Sequence, residues 1–423
     1  LEKSSFPCYV NDYIHLLREE KPSISDLSTI IAYLRYNILC NNRSPNLYIT
    51  QVFDLSMEYL QITNYEQPEG IFYSESHFLM AILLTDIIDH IDPHDFISRK
   101  CDMLFPGEYE PESNELESVH MDIQIQHLTE WASTGLYLPA GQVATVTINP
   151  LRNVDDLNSF YEDLFIQIGS HSESLLSSPG PWKRWPKVVL KFPVKQGEME
   201  IASPFGGLIY VVREPIPTIQ TDIQVFNQCI SCRNNSSRSK TSTNSSTNKN
   251  LSQSNNAASR LSMKNMNEYK YLSMDINNVV RCPFYADSEH NPHSLVTSTA
   301  PWGEICTKHA IITLPSVELY KIQNLNVFST TFDKMIKQIE LFVGFSTTRR
   351  FRLVFDVDRP KIGTTSSYPL MLSFDLLNSL FNIEKASSDL FAVMMMIGII
   401  CLPENVLNPN IEAAFGMLAA THV

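Results

Sequence analysis

The sequence predicts an α+β protein built from three consecutive parts: an N-terminal helical module, a β-rich part and a late helical part. In the first hundred residues the apolar positions recur at spacings of three and four, as they do on one face of a helix. Beyond about residue 140 apolar and polar residues alternate, which is typical of strands. After residue 373 the helical spacing returns. These two changes of period divide the sequence into the three predicted parts.

The helical module is predicted over residues 1–101. Its apolar runs include Leu27, Ile30, Ile31 and Leu34, and a second run extends from Phe78 to Ile88. Four prolines separate the runs: Pro22, Pro45, Pro68 and Pro93. Acidic residues then gather around two prolines: Asp102, Glu108, Glu110, Glu112, Glu115 and Glu117. We interpret residues 102–125 as a solvated acidic linker.

The third predicted unit covers residues 126–423, with a β-rich part over 126–330 and a helical part over 331–423. Within it, residues 231–260 hold 20 Ser, Asn or Thr, several basic residues and no acid. Such a segment buries too little apolar surface to order itself, so we expect a disordered insertion. Helices are expected at 331–343 and 373–401, and the strand character at 353–357 lies between them.

The net charge argues against one class of function, and the cysteine content predicts a cellular compartment. The formal net charge of −14 argues against a nucleic-acid surface, which needs clustered Lys and Arg. Eight cysteines dispersed over 423 residues are typical of reduced thiols inside the cell, so a cytoplasmic location is expected. The apolar run from Leu390 to Leu402 is too short to cross a bilayer. Because the sequence starts at Leu1 and ends in an apolar segment, we interpret it as a piece of a longer polypeptide.

A succession of short motifs carries a family resemblance. They are Ser133-Thr-Gly-Leu-Tyr-Leu-Pro-Ala-Gly141, Gln167-Ile-Gly-Ser-His171, Pro204-Phe-Gly-Gly-Leu-Ile-Tyr210, Ala300-Pro-Trp-Gly-Glu304, Ile312-Thr-Leu-Pro-Ser316, Phe355-Asp-Val-Asp358 and Ser367-Tyr-Pro-Leu370. Over residues 126–423 this succession of motifs resembles the enhancin-like zinc metallopeptidases of peptidase family M-sixty. With a helical module upstream, the chain looks most like the animal transient-receptor-potential melastatin channel-associated factors.

The resemblance implies a gluzincin-like helical subdomain, in which enzymes of the family carry H-E-x-G-H on a helix and a later Glu. With Gly398 matched to the family glycine, Met395 and Ile399 stand at the two His positions and Met396 stands at the Glu. Ile offers no lone pair, a thioether is a poor Zn²⁺ ligand, and neither accepts a proton from water. The sequence therefore predicts a degenerate zinc helix, with no catalytic residues, no metal site and no cofactor.

Glu412 matches the third family ligand in type and spacing. A carboxylate in an apolar setting must be paired, solvated or protonated. Two interpretations stay open for it: a relic with a new hydrogen-bonding partner, or an exposed side chain. The consecutive methionines at 394–396 point in different directions on a helix, so core packing is favoured over a soft-metal site.

Three further residues are candidate cleft or glycan contacts: Trp302, Glu304 and His171. The ring of Trp302 could stack on a sugar, as the family's association with glycosylated substrates implies, but a core or rim Trp is the commoner case. Glu304 and His171 are polar groups that a cleft would use. For each of them a structural role is the competing interpretation.

From these observations we expect a non-catalytic, peptidase-like binding protein. The resemblance implies a membrane ion channel as protein partner, met from the cytoplasmic inner face of the plasma membrane, with an effect on channel trafficking or gating. The alternative is a zinc metalloendopeptidase acting on glycoproteins, whose H-E-x-x-H is lost from this sequence through a gene-model error or truncation. Zinc is a cofactor only under that alternative.

Overall fold

The computed structural model describes the following residues: 5–18, 23–40, 46–63, 74–112, 114–125, 131–149, 161, 163–178, 180–214, 270–286, 294–344, 349–359, 368–377, 380, 388–401, 416–418 and 420–421. The predicted disordered insertion at 231–260 and Glu412 lie outside the described residues. No helix among these ranges is long and apolar enough to cross a membrane.

The helical module forms as predicted. Its helices are α1 (Ser5–Leu17), α2 (Ile24–Cys40), α3 (Asn46–Thr63) and α4 (Glu75–Ile88). The hydroxyl of Ser74 caps α4 by accepting from the backbone N–H of His77, which satisfies one of the free donors at the helix start. Leu27 and Leu34 are fully buried, so the residues at helical spacing do form the packed face.

Eight strands form the β-rich part. They are β1 (Glu117–Ile125), β2 (Ala132–Leu138), β3 (Ala144–Ile148), β4 (Leu164–Ile168), β5 (Leu190–Pro193), β6 (Gly197–Ile201), β7 (Gly207–Arg213) and β8 (Lys270–Arg281). Their order is β5-β4-β7-β2-β8-β3-β6, and β1 pairs with β8. Alternate side chains from both halves of this sheet meet in one apolar core, for example Val146 and Ile276 with Ile166 and Ile209. The sheet is therefore folded over as a sandwich.

A second sheet of six strands follows. It contains β9 (Phe284–Ala286), β10 (Ser294–Val296), β11 (Trp302–Cys306), β12 (Ala310–Pro315), β13 (Phe351–Asp356) and β14 (Leu370–Ser373), in the order β10-β9-β11-β12-β13-β14. Strands β12, β13 and β14 run parallel and are almost wholly buried. The helices α5 (Ser316–Leu319), α6 (Leu325–Val343) and α7 (Ser388–Ile400) belong to this part. Its core joins the sheet to α6 and α7.

Two predicted boundaries differ from the structure. The second half of the predicted acidic linker at 102–125 is β1, which pairs with β8 over its whole length. Val119 and Ile123 enter the sandwich core while the polar residues between them face outward. The acidic composition of the region therefore led us to interpret an alternating strand as part of a linker. The second sheet extends beyond 330 into the part predicted to be helical: β13 lies where strand character was expected at 353–357, and β14 was not predicted.

The core of the helical module is continuous with that of the β-rich part. One buried cluster runs from Leu27 and Leu84 in the helices to Trp182 and Phe205 in the β-rich part. The ring of Phe78 on α4 lies 4.8 Å from the ring of Trp182, measured between centroids. The module is therefore packed into the same apolar interior as one face of the sandwich.

Candidate functional site

The three positions predicted to replace the zinc motif all lie on α7. Met396 is buried in the core of the second sheet, while Met395 and Ile399 are half-buried and stand one turn apart. Gly416 packs against this turn: a Cβ at 416 would come within 2.6 Å of Ile399 Cγ1 and 2.7 Å of the Met395 carbonyl oxygen. Packed chain therefore occupies the space beside these two positions.

The chemistry of this face is that of a hydrocarbon core. Its side chains offer two thioethers and one aliphatic group, and none of them can accept a proton from water. Within the described ranges no three His, Cys, Asp or Glu residues are grouped so that they could hold a metal ion.

Two of the predicted cleft residues, His171 and Trp302, are neighbours. The ring centroids of His171 and Trp302 are 4.8 Å apart, and Phe105 lies edge-on to both, at 4.6 Å from His171 and 5.6 Å from Trp302. These rings and the loops at Gly169 and Gly206 line a small cavity of about 10 Å³. That is about the space of one water molecule.

His171 is held as a neutral ring. Its Nε2 lies 2.7 Å from the Phe355 carbonyl oxygen, which can only accept, so Nε2 carries the hydrogen. Its Nδ1 is 3.2 Å from the hydroxyl of Ser170, which can then donate. Burial lowers the pKa of His171 to about 4, with Asp356 acting in the opposite direction and Arg184 adding to the lowering.

Trp302 is an interior residue. Its side chain lies at 4% exposure, and its indole N–H donates to the Pro106 carbonyl at 2.9 Å. Phe374 stacks nearby at 6.0 Å between ring centroids. Because its ring is buried among His171, Phe105 and Phe374, Trp302 presents no open face on which a sugar could stack.

Glu304 lies two residues after Trp302 on β11 and faces the same side, toward the sandwich. Its carboxylate accepts from Arg352 at 2.6 Å, from the Tyr210 hydroxyl at 3.0 Å and from the Thr313 hydroxyl at 3.0 Å. Both members of the ion pair are buried. Burial by itself lowers the pKa of Arg352, but Glu304 together with Tyr368 and Tyr210 outweighs this and the pKa is raised.

A second buried ion pair was not predicted from the sequence. Arg184 donates to Asp356 from Nε and Nη2 at 2.8 to 3.0 Å, and both side chains are completely buried. The remaining donors of Arg184 reach the carbonyls of Trp185 and Glu173. Burial raises the pKa of Asp356, but the Arg184 guanidinium, His171 and the backbone N–H of Asp358 together more than offset this, and the net pKa is lowered. The signal in the sequence was an acid placed directly after an apolar strand in Phe355-Asp-Val-Asp358.

Both ion pairs lie where the two sheets meet, but only the pair of Arg184 and Asp356 crosses from one sheet to the other. Glu304 and Arg352 both belong to the second sheet and reach the sandwich through their other hydrogen bonds. Arg184 belongs to the β-rich part and Asp356 ends β13. Arg352 on β13 also donates to the Trp131 carbonyl and the Ser133 hydroxyl of the sandwich side, at 2.9 Å each. Since these charges are committed to partners and shielded from water, their arrangement supports docking of one sheet on the other and does not resemble a reactive site.

Comparison with known proteins decides the family resemblance. Residues 112–228 match the family model of the N-terminal domain of M60-like peptidases. Over this range the chain is similar to that domain. In the structure this domain corresponds to the range of β1 to β7. The resemblance to enhancin-like peptidases is thereby confirmed, and so is the α+β class of the fold.

Curated relatives match a larger part of the chain than the family model does. The chain is 25% identical over 264 residues to TRPM8 channel-associated factor 3 of Rattus norvegicus, covering 61% of the chain and 22% of that protein. It is 24% identical over 258 residues to TRPM8 channel-associated factor 2 of Bos taurus, covering 60% of the chain and again 22% of the relative. The match therefore spans about a fifth of the relatives' length.

Solved structures of M60-like metallopeptidases are also similar. The IMPa metallopeptidase of Pseudomonas aeruginosa aligns with a TM-score of 0.49 at 10% identity, over 90% of this chain and 41% of IMPa. The catalytic module of the metalloprotease ZmpA of Clostridium perfringens aligns with a TM-score of 0.43 at 8% identity, over 74% of this chain and 58% of the module.

Proposed function

We propose that this protein is a non-catalytic, peptidase-like binding protein in which α7 is a degenerate zinc helix. The observation that carries the proposal is the set Met395, Met396 and Ile399, which replaces two metal-binding imidazoles and a general base. Zinc peptidases need three protein ligands and an open fourth position, and also a base for the metal-bound water. The close approach of Gly416 to Met395 and Ile399 supports the proposal, because the same face of α7 is used for packing.

We further propose a membrane ion channel as the partner, met at the inner face of the plasma membrane. The relatives at 25% and 24% identity are named as channel-associated factors, and this is what supports the choice of partner. An effect on the trafficking or gating of the channel would follow from such binding.

The experiment is affinity capture from solubilised plasma membranes with the tagged chain, read by mass spectrometry. Each capture is run with and without 1,10-phenanthroline, a zinc chelator. We expect enrichment of a channel protein that the chelator leaves unchanged. An Arg352→Met variant, in which the buried joint between the sheets is disrupted, serves as the matched control and should lose the enrichment. Recovery of no channel above background would overturn the choice of partner, while chelator-sensitive cleavage of captured proteins would overturn the non-catalytic function.

A further inference from the structure

The joint between the sandwich and the second sheet contains one group that titrates near the physiological range in its free form. His171 lies in the loop after β4, on the sandwich side, and its Nε2–H bond to the Phe355 carbonyl crosses to β13. Trp302 from β11 and Phe105 close over the ring. The ring is therefore buried where the two sheets meet, with 4% of its surface exposed.

The elements packed around His171 bring charged groups of both signs. β13 brings Asp356, and the segment after Pro181 brings Arg184; these two act on the His171 charge in opposite directions. They are also bonded to each other, so neither is free to pair with an imidazolium. Glu304 on β11 is held by Arg352.

Two more charged groups belong to the surroundings. Asp102, in the segment that carries Phe105, has a pKa that burial raises. Glu173, on the same loop as His171, pairs with Arg359.

We propose that His171 makes this joint acid-sensitive: the second sheet stays docked on the sandwich only while the ring is neutral. A proton on Nδ1 would place a second cation beside Arg184, buried against the rings of Phe105 and Trp302, where bulk water does not solvate it. Opening the joint would return the ring to water. The joint is then a conformational device that loosens on acidification and closes again at neutral pH.

The direction in which pH changes the stability of the joint follows from proton linkage. In the docked state the pKa of His171 is about 4, below the ordinary value of 6.5, so the docked state binds fewer protons than the open state. Stability of the joint is complete above about pH 6.5 and is lost as the pH falls toward 4. At pH 5 the opening equilibrium constant should be about 30-fold larger than at pH 7.5, taking an ordinary pKa in the open state.

Native-state hydrogen exchange on the whole chain tests this. The backbone N–H groups of Lys183 and Arg184 donate to Asp358 across the joint, at 2.8 to 2.9 Å, so their exchange reports its opening. The strand Ala144–Ile148, deep in the sandwich, serves as the internal reference. Protection factors, which are corrected for the intrinsic effect of pH, are measured by mass spectrometry at pH 7.5, 6 and 5.

We expect protection at residues 183 and 184 to fall about 30-fold from pH 7.5 to pH 5 while the reference strand changes little. A His171→Gln variant should lose most of this pH dependence, and His120→Gln, at a histidine on the exposed face of β1, should keep it. Protection that stays constant in the wild-type chain would overturn the proposal, as would a parallel fall in the reference strand. The wild-type comparison decides even where His171→Gln does not fold.

Discussion

At the scale of single residues, the charged side chains of the two buried ion pairs are each held by several hydrogen bonds. Glu304 accepts three hydrogen bonds and Arg184 donates to one carboxylate and two carbonyls. A buried charge is tolerated only with such partners, because its desolvation costs several kcal/mol. These residues therefore fix how the sheets meet, and their removal should lower the free energy of unfolding of the whole chain.

Removal of one partner leaves the other charge buried and alone. We predict that Arg352→Met lowers the free energy of unfolding by about 3–5 kcal/mol, while the double variant Glu304→Gln with Arg352→Met loses less. Urea unfolding followed by tryptophan fluorescence measures this. Arg281, in an exposed pair with Glu117, offers the matched control, and Arg281→Met should cost no more than about 1 kcal/mol. Equal losses for Arg352→Met and Arg281→Met would contradict this account of the joint.

The sequence singled out Glu304, His171 and Trp302 as unusual but did not reveal what they contact. Glu304 interrupts an apolar strand, which signals a paired carboxylate, but its partner Arg352 lies 48 residues further along the chain. Such a pairing depends on the order of strands in the sheet, and a period of two contains no information about that order. The same limit hid the pair of Arg184 and Asp356.

At the scale of elements, α7 is the one that decides between a scaffold and an enzyme. Its apolar residues run around all sides, as expected of a buried helix. The sequence predicted both the helix and its burial, because a thirteen-residue apolar run between polar segments is too short for a membrane and too long for a strand.

Restoring the three family residues tests whether α7 is a degenerate zinc helix. We predict that Met395→His, Met396→Glu and Ile399→His together convert the chain from binding no zinc to binding about one zinc ion, since two His at i and i+4 share a helix face. Elemental mass spectrometry after dialysis measures the zinc. A variant with Gln at 395 and 399 and Glu at 396 is the matched control, because Gln resembles His in polarity and is a poor zinc ligand. Zinc in neither variant, with both folded by circular dichroism, would contradict the assignment of this helix.

The strand β1 shows why element boundaries were the weaker part of the sequence prediction. Acids at 102–117 dominate the composition and indicate a linker, whereas Val119 and Ile123 indicate a strand. The strand forms because β8 offers a long partner, and β8 begins more than 140 residues later. The composition of a short stretch of sequence shows the acidic charge, but it does not show a pairing strand that lies far along the chain.

At the scale of the whole molecule, the helical module and the sandwich share one interior. The sequence predicted a helical module over residues 1–101, and the described residues of that range contain four helices. It did not predict the shared core, because the residues that complete it, such as Trp182 and Phe205, come about a hundred residues later.

A module whose core is completed by residues of the β-rich part should not fold alone. We predict that residues 1–101 expressed by themselves show no cooperative thermal transition, because Phe78 and its neighbours then expose the surface that packs on Trp182. Calorimetry of this fragment and of the full chain is the measurement. The full chain, in which the core is complete, serves as the control. A sharp transition in the isolated fragment would show that the module is an independent domain.

The central claim, a peptidase-like fold without the peptidase's metal, is tested most directly by the zinc content of the unmodified chain. The protein is purified without added metal, dialysed against a weak chelator and analysed by elemental mass spectrometry. The account predicts a zinc content near zero, with the chain folded. About one zinc per chain, retained through dialysis, would contradict it and would favour the zinc metalloendopeptidase.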